Sequence, residues 1–171
     1  EDSFMRELAA WTVGTIGPEA KAAVPDLIVL LDDDNQDVRL RASVSLGHIG
    51  PEAIPALLKS LKHKSQPVRY WSAYALERMG PKAKDAAAML LGVLAKDQDF
   101  DVRGAAASAL GEIGPAAEGG GQGLQAALQD GEPRVRFLAA EALWKVDGKP
   151  GAALAVLQQE LKNKEPLYRK E

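Results

Sequence analysis

Apolar residues recur along the chain at helical spacing, in stretches separated by short polar turns. One stretch has apolar or small residues at i, i+4, i+8 and i+11, namely Val38, Ala42, Leu46 and Ile49. The next apolar stretch contains Ile54, Leu57, Leu58 and Leu61. Gly50 and Pro51 lie between them, and glycine suits the end of a helix whereas proline suits its first turn. The pattern therefore predicts two helices joined by a tight turn.

This two-helix unit recurs along the whole sequence. A Val-Arg pair marks its first helix at Val38-Arg39, Val68-Arg69, Val102-Arg103 and Val135-Arg136, at spacings of 30, 34 and 33 residues. A second anchor lies at a fixed distance after each pair or its equivalent, at Gly17, Gly50, Gly80, Gly114 and Asp147. Two anchors in constant register predict an all-α superhelix, a solenoid of five two-helix repeats with no β-sheet.

The anchors also divide the chain, which we treat as one domain over residues 1–171. The predicted repeats span about 3–34, 35–64, 65–98, 99–131 and 132–163, and residues 164–171 begin a truncated sixth repeat. A solenoid needs polar caps over its terminal apolar faces. Because only a short polar tail follows the last helix, we expect a fragment of a longer array, or a terminal face covered by another chain.

The turns between repeats contain the local exceptions. Asn35, Ser65 and Asp99 lie where a side chain can cap the next helix. The second repeat is shorter between its helices, and we place one extra residue of the third repeat in the turn that begins at Asp97. Glycines at 119–121 and 123 disfavour a helix, so we expect this segment to be frayed or non-helical.

The repeated pattern, VR followed by LGxIGPEA, resembles the short HEAT-like repeats associated with phycobilisome lyases, over about residues 3–163. The resemblance implies a solenoid whose second helices line the concave face. It also implies a ladder of arginines bonded to acidic groups in the turns between repeats. The arginines would be Arg39, Arg69, Arg103 and Arg136, and the acids would be Asp33, Asp97 and Asp130. His63 and Asn163 replace the acid in two repeats, so we expect the ladder to be altered there.

Composition narrows the classes of partner. The net charge is −3, which argues against nucleic acid, although it leaves room for a local basic patch. No apolar run approaches the roughly 20 residues that a membrane span requires, so we expect no membrane partner. Without cysteine there is no disulfide or thiolate chemistry. The sequence does not determine the oligomeric state or the compartment, although it favours the cytoplasm.

Candidate chemistry is sparse. His48 and His63 lack the adjacent glutamate with which some HEAT-like hydroxylases bind iron. The acidic run at 32–37 lacks the later glycine and glutamate of a calcium loop, so a helix end and a cap are favoured. The glycines at 119–123 lack a phosphate-binding lysine and favour a turn. We therefore expect no catalytic residues, no metal and no cofactor.

Two surfaces are candidates for binding a partner. The first is a row on the second helices, consisting of Asp26, Val29, Lys59, Lys62, Met89, Gly92, Val93, Lys96, Gln125, Gln129 and Gln159. Its mixed chemistry favours a protein or peptide over a phosphate backbone, and an ordinary solvated face is the alternative. The second is an aromatic stripe on the first helices, with Tyr70 and Tyr74 at i and i+4. These tyrosines could equally pack between repeats, as we expect for Trp71 and Trp144.

The sequence thus predicts a non-catalytic scaffold or adaptor that binds a protein or peptide. The family resemblance keeps a second hypothesis, a subunit similar to bilin lyases that binds a tetrapyrrole and its acceptor protein. A DNA-binding solenoid is a third and weaker hypothesis, which the acidic balance opposes.

Overall fold

The computed structural model describes residues 2–162, apart from the side chain of Glu160, and this part of the chain is helical without a β-strand. Its α-helices are α1 Ser3–Ile16, α2 Val24–Leu30, α3 Gln36–Ile49, α4 Ile54–Ser60, α5 Gln66–Met79, α6 Ala87–Lys96, α7 Phe100–Ile113, α8 Gly120–Ala127, α9 Pro133–Asp147 and α10 Gly151–Lys162. Odd-numbered helices are the first helices of the repeats, and even-numbered helices are the second. The predicted architecture of five helix pairs is confirmed.

Each junction inside the first four repeats has the predicted Gly-Pro chemistry. The glycines at 17, 50, 80 and 114 have φ between 58° and 82°, a region that side chains disfavour. Proline then opens a short 3₁₀ segment at Gly17–Ala23, Gly50–Ala53, Gly80–Ala86 and Gly114–Ala116. The fifth repeat lacks this motif, and α9 ends at Asp147, where Gly148 caps it with φ 65°.

Side-chain caps begin two of the three helices for which the sequence predicts them. Asn35 accepts from the backbone N–H groups of Asp37 and Val38, and Asp99 accepts from those of Asp101 and Val102. Ser65 lies at the start of α5 but does not cap it. Its hydroxyl bonds to the carboxylate of Asp32 in the preceding turn instead.

The repeats stack along one apolar seam. The first helices form one layer, in which α1, α3, α5, α7 and α9 contact each other in order, and the second helices form the other. The largest side chains without solvent exposure lie between the layers, among them Leu46, Leu57, Leu76, Leu90 and Leu110. Within residues 2–162 every extensive contact joins elements of one repeat or of adjacent repeats, as a solenoid requires.

The glycine-rich segment differs from the sequence prediction. Only Gly119 leaves the helical region, with φ 74°, and α8 begins at Gly120. Packing explains why glycine is helical here. A Cβ atom at Gly121 would lie 2.7 Å from Oδ1 of Asp147, and one at Gly123 would lie 2.2 Å from Cδ2 of Leu91. The absence of side chains lets α8 approach its neighbours, so the prediction of a non-helical segment was wrong for residues 120–123.

Candidate functional site

The repeated arginines connect successive turns of the solenoid. Nε of Arg69 donates to Oδ2 of Asp97 at 2.7 Å, and Nη2 donates to Oδ1 at 3.0 Å. Its third nitrogen, Nη1, donates to the backbone carbonyls of His63 and Lys64, both at 3.0 Å. One guanidinium thus binds the turn before its own helix and the turn at the end of its own repeat. Both side chains of the ion pair are about nine-tenths buried.

The same arrangement occurs in the first and fourth repeats. Arg103 binds Asp130 through Nε at 2.8 Å and through Nη2 at 2.9 Å. Arg6 binds Asp33 in the same way, at 2.7 and 3.0 Å. Arg6 is a member of the ladder that we did not predict, although its position one repeat length before Arg39 was the available signal. Each of these pairs has the bidentate geometry that arginine and carboxylate favour.

The ladder pairs shift the protonation equilibria in the expected directions. The hydrogen bond from Arg6 lowers the pKa of Asp33, although burial opposes it. Burial alone would raise the pKa of Asp130, but bonds from Arg103 and from the backbone of Glu132 outweigh it and lower that pKa. The carboxylates in turn raise the pKa values of Arg69 and Arg103. The carboxylates of Asp33 and Asp130 therefore stay ionised near neutral pH, and the guanidinium groups of Arg69 and Arg103 stay protonated.

The second repeat departs from this pattern at His63. Arg39 donates through Nη1 to the carbonyls of Asp33 and Asp34, but its buried Nε has no hydrogen-bond partner. His63 still closes the turn, because its Nδ1 accepts from the N–H of Ser65 at 3.1 Å. At the other turns a carboxylate oxygen accepts the equivalent bond, at 2.9–3.0 Å. The imidazole thus replaces the carboxylate in the turn and does not bind the arginine.

The end of the ladder lies at the limit of the described residues. Arg136 donates through Nη1 to the carbonyls of Asp130 and Gly131, at 3.0 and 3.2 Å. Asn163, which the sequence places opposite Arg136, lies outside the described residues.

The row of candidate residues on the second helices is exposed with two exceptions. The exposed members are Asp26, Val29, Lys59, Lys62, Gly92, Lys96, Gln125, Gln129 and Gln159. Met89 is half-buried, and Val93 is only 8% exposed, so the assignment of Val93 to an open surface was wrong. The extra residue of the third repeat lengthens α6 to Lys96 instead of the turn after it. The added residue rotates the residues of α6 around the helix axis relative to the turn that follows, and Val93 therefore faces the core.

A shallow basic groove of about 600 Å³ separates α4 from α6 near their C-terminal ends. Leu61, Met89 and Val93 give it an apolar lining, and Lys62 and Lys96 are exposed along its rim. His63, Lys64, Gly92 and the Arg69–Asp97 ion pair complete its walls. Five of the predicted surface residues thus line one groove, which we call the basic groove, namely Lys62, Met89, Gly92, Val93 and Lys96.

A second groove, of about 480 Å³, lies on the other side of α6, between α6 and α8. Leu91, Leu94 and Ala127 contribute apolar surface, and Gly123 lets the Leu91 side chain pack directly against α8. Gln129 lies at one end, near the carboxylate of Asp130 that Arg103 binds. We call this the apolar groove. This groove was not predicted from the sequence, since the glycines of α8 were expected to form a turn.

The aromatic stripe on the first helices is not an open patch. Tyr70 and Tyr74 are half-buried, and both contact Trp71 edge to face, with ring centroids 5.0 and 5.4 Å apart. Burial raises the pKa of the Tyr70 hydroxyl. Trp71 is buried as predicted, whereas Trp144 is 51% exposed, so the prediction that Trp144 packs between repeats was wrong.

Within the described part of the chain, no group of three or more potential ligand side chains is arranged to hold a metal ion. None of the helices over residues 2–162 has both the length and the hydropathy needed to cross a bilayer.

Comparison with protein families gives a match over most of the chain. The family profile described as HEAT repeats matches residues 24–111 and 96–171. No curated protein matches the sequence significantly.

Several solved helical repeat structures are similar to this chain. A chain from the complex of CpcE and CpcF of phycocyanin lyase from Nostoc sp. PCC7120 gives a TM-score of 0.71 at 24% identity, covering 85% of this chain and 92% of that chain. The designed armadillo repeat protein YIII(Dq.V1)4CPAF in complex with peptide (KR)4 gives 0.59 at 19% identity, over 93% and 85%. Human deoxyhypusine hydroxylase in complex with glycerol gives 0.57 at 31% identity, over 74% and 44%. The first two likenesses concern the fold alone.

Proposed function

The chain belongs to the HEAT repeat family, and from this premise we propose that it is a non-catalytic scaffold that binds a protein or peptide along its second helices. The observation that carries the proposal is the pair of grooves on either side of α6. Stacked helix pairs offer such extended surfaces to partners. The designed armadillo protein of similar fold is in complex with a peptide, and the CpcE and CpcF chains are in complex with each other.

The chemistry of the two grooves supports a macromolecular partner. Both are open and shallow, and together they combine apolar floors with charged and amide groups at their edges. Their walls are helices packed on a continuous core, so a partner meets a surface that is already formed. Preorganisation of this kind reduces the entropy that binding costs.

Affinity capture with site-directed controls tests this proposal. We expect a partner captured by the immobilised chain to be lost when Lys59→Glu and Lys62→Glu reverse the charge beside the basic groove. Lys82→Glu is the matched control, because Lys82 is also exposed but lies in the 3₁₀ segment at the opposite ends of the helices. Cross-links from the partner should fall on α4, α6 and α8. A partner that keeps its affinity for the double variant and cross-links only to first helices would contradict the proposal.

A second candidate is a subunit similar to bilin lyases, which binds a tetrapyrrole and its acceptor protein. The likeness to the chain from the phycocyanin lyase complex favours it. Titration of a free bilin with the chain tests it, because binding shifts and sharpens the visible absorbance of the pigment. An unchanged spectrum at saturating protein would remove this candidate.

A further inference from the structure

The lysines of the basic groove are not neutralised by neighbouring acids. Lys62, Lys64 and Lys96 are exposed, and none forms an ion pair within residues 2–162. Asp97 is the one carboxylate that lines this groove, and Arg69 holds it in a bidentate pair. A chain whose net charge is −3 therefore presents an excess of positive charge at this place. Such a patch attracts acidic groups and steers them to the surface.

The two grooves are separated by a ridge that carries no long side chains. Ala88, Gly92 and Ala95 are the exposed residues between the grooves on α6. A Cβ atom at Gly92 would meet nothing within 4 Å, so the backbone of a partner can lie directly across the helix at this position. The equivalent second helix of the preceding repeat carries a lysine, Lys59, on its exposed face. The exposed face of α6 is thus less obstructed than that of α4.

The apolar groove complements the basic one. Its lining comes from Leu91, Leu94, Ala126 and Ala127, together with Gly119 and Gly123. A side chain such as leucine that enters this groove would lose apolar surface to the protein, at about 25 cal/mol for each Å² buried. No lysine or arginine lines the groove, so it does not compete for acidic residues.

From these features we propose that the partner segment is an acidic, extended peptide that crosses α6. This inference rests on the proposed scaffold function and specifies the partner. Its carboxylates lie over Lys62 and Lys96, its backbone passes Gly92, and an apolar side chain enters the apolar groove. Packed helices lie about 8–10 Å apart, and an extended chain advances about 3.3 Å per residue. The acidic and apolar residues are therefore about three positions apart.

Fluorescence anisotropy with short synthetic peptides tests the chemistry directly. The probe carries two adjacent glutamates and, three positions later, a leucine, within an otherwise neutral sequence. One comparison peptide replaces the glutamates by glutamine, another replaces them by lysine, and a third keeps the composition but moves the leucine beside the glutamates. We expect the glutamate probe to bind on the order of tenfold more tightly than each of these, and its affinity to fall with added salt.

Protein variants test the placement of the peptide. Lys62→Glu and Lys96→Glu should each weaken the glutamate probe several-fold, and Lys82→Glu should leave its affinity unchanged. Gly92→Trp should also weaken binding, because the indole would block the crossing, while the open space around Gly92 preserves the fold. Circular dichroism of each variant confirms that the helices remain.

Several outcomes would overturn the inference. Equal binding of the glutamine peptide would remove the acidic specificity, yet it would leave the scaffold function in place. Equally tight binding of a single-stranded oligonucleotide, lost with the same lysines, would indicate a general polyanion site instead of a peptide site. No binding of any peptide would reject this partner, and the capture experiment described above would then decide the scaffold function independently.

Discussion

The second and third repeats build the same turn with different chemistry. In the third, Asp97 accepts a backbone N–H within its own turn and also binds the guanidinium of Arg69. In the second, His63 accepts the backbone N–H, and Nε of Arg39 has no acceptor. Because both turns close, the turn requires an acceptor and does not require a negative charge. The comparison separates two tasks of the repeated acid, which are closing the turn and linking it to the arginine.

The largest expected difference is in the free energy of unfolding, between the variant that removes Asp97 and the variant that removes His63. Asp97→Ala leaves a buried guanidinium without its counterion, so we expect the free energy of unfolding to fall by about 3–5 kcal/mol. His63→Ala removes one hydrogen bond from an exposed side chain and should cost about 0.5–1.5 kcal/mol. Urea denaturation followed by circular dichroism measures both. Asp97→Asn keeps an acceptor for the turn but removes the charge that binds Arg69. Equal losses of unfolding free energy for Asp97→Ala, His63→Ala and Asp97→Asn would contradict the separation of the two tasks.

Substitution of Arg69 should likewise cost more stability than substitution of Arg39, although the difference should be smaller than for Asp97 and His63. Arg69→Met keeps the aliphatic stem but leaves the carboxylate of Asp97 buried without its partner, which should cost about 3 kcal/mol. Arg39→Met loses two bonds to backbone carbonyls and also removes the unsatisfied Nε, so its cost should stay within about 1 kcal/mol. Thermal melts of the two variants compare them. A greater loss for Arg39→Met would show that its backbone bonds outweigh the ion pair.

The ladder can also be completed at the second repeat. His63→Asp places a carboxylate where the other turns have one, and a bond to Nε of Arg39 should stabilise the fold by about 1–2 kcal/mol. The gain should disappear when Arg39→Met is combined with it, which a double-mutant cycle detects. A gain that survives without the guanidinium would come from the turn alone.

The smallest effect appears in the dependence of stability on pH. The pKa values of Asp33 and Asp130 are lowered in the folded state. Their contribution is therefore complete above the unfolded value near 3.8, and it is lost as the pH falls through the folded-state value. Asp130→Asn should be less stable than the native chain at neutral pH, and the two should converge in acid. Denaturation midpoints measured across this range would contradict the assignment if the difference stayed constant.

The fold was predictable because the same sequence features recur in successive repeats. The Val-Arg pair and the Gly-Pro junction fix where helices begin and end, and apolar spacing fixes which faces meet. Even the exception at His63 could be read from the sequence, since an imidazole cannot replace both functions of a carboxylate. Features of a solenoid that recur at constant spacing in each repeat can be predicted from the sequence.

The errors arose where neighbouring elements decide the outcome. Val93 was assigned by counting back from the turn, but the added residue extends α6 and rotates its face relative to that turn. The glycines of α8 are poor helix formers, yet their missing side chains leave room for the side chains of Leu91 and Asp147 in this packing. Residues of these two features line the grooves, since Val93 borders the basic groove and Gly123 borders the apolar groove. The sequence therefore predicted that Lys62 and Lys96 are exposed, but it did not predict the basic groove that they border.

The one-sided anchoring of Arg39 has a mechanical consequence. Where a guanidinium holds two successive turns, their separation is fixed by directional bonds as well as by packing. Between the turns at Asp33 and His63 no guanidinium makes this link, and the directional contact is an exposed hydrogen bond from the Ser65 hydroxyl to Asp32. We therefore expect the array to bend most easily at this joint, so that a long ligand could adjust the pitch of the first repeat while the basic groove keeps its shape.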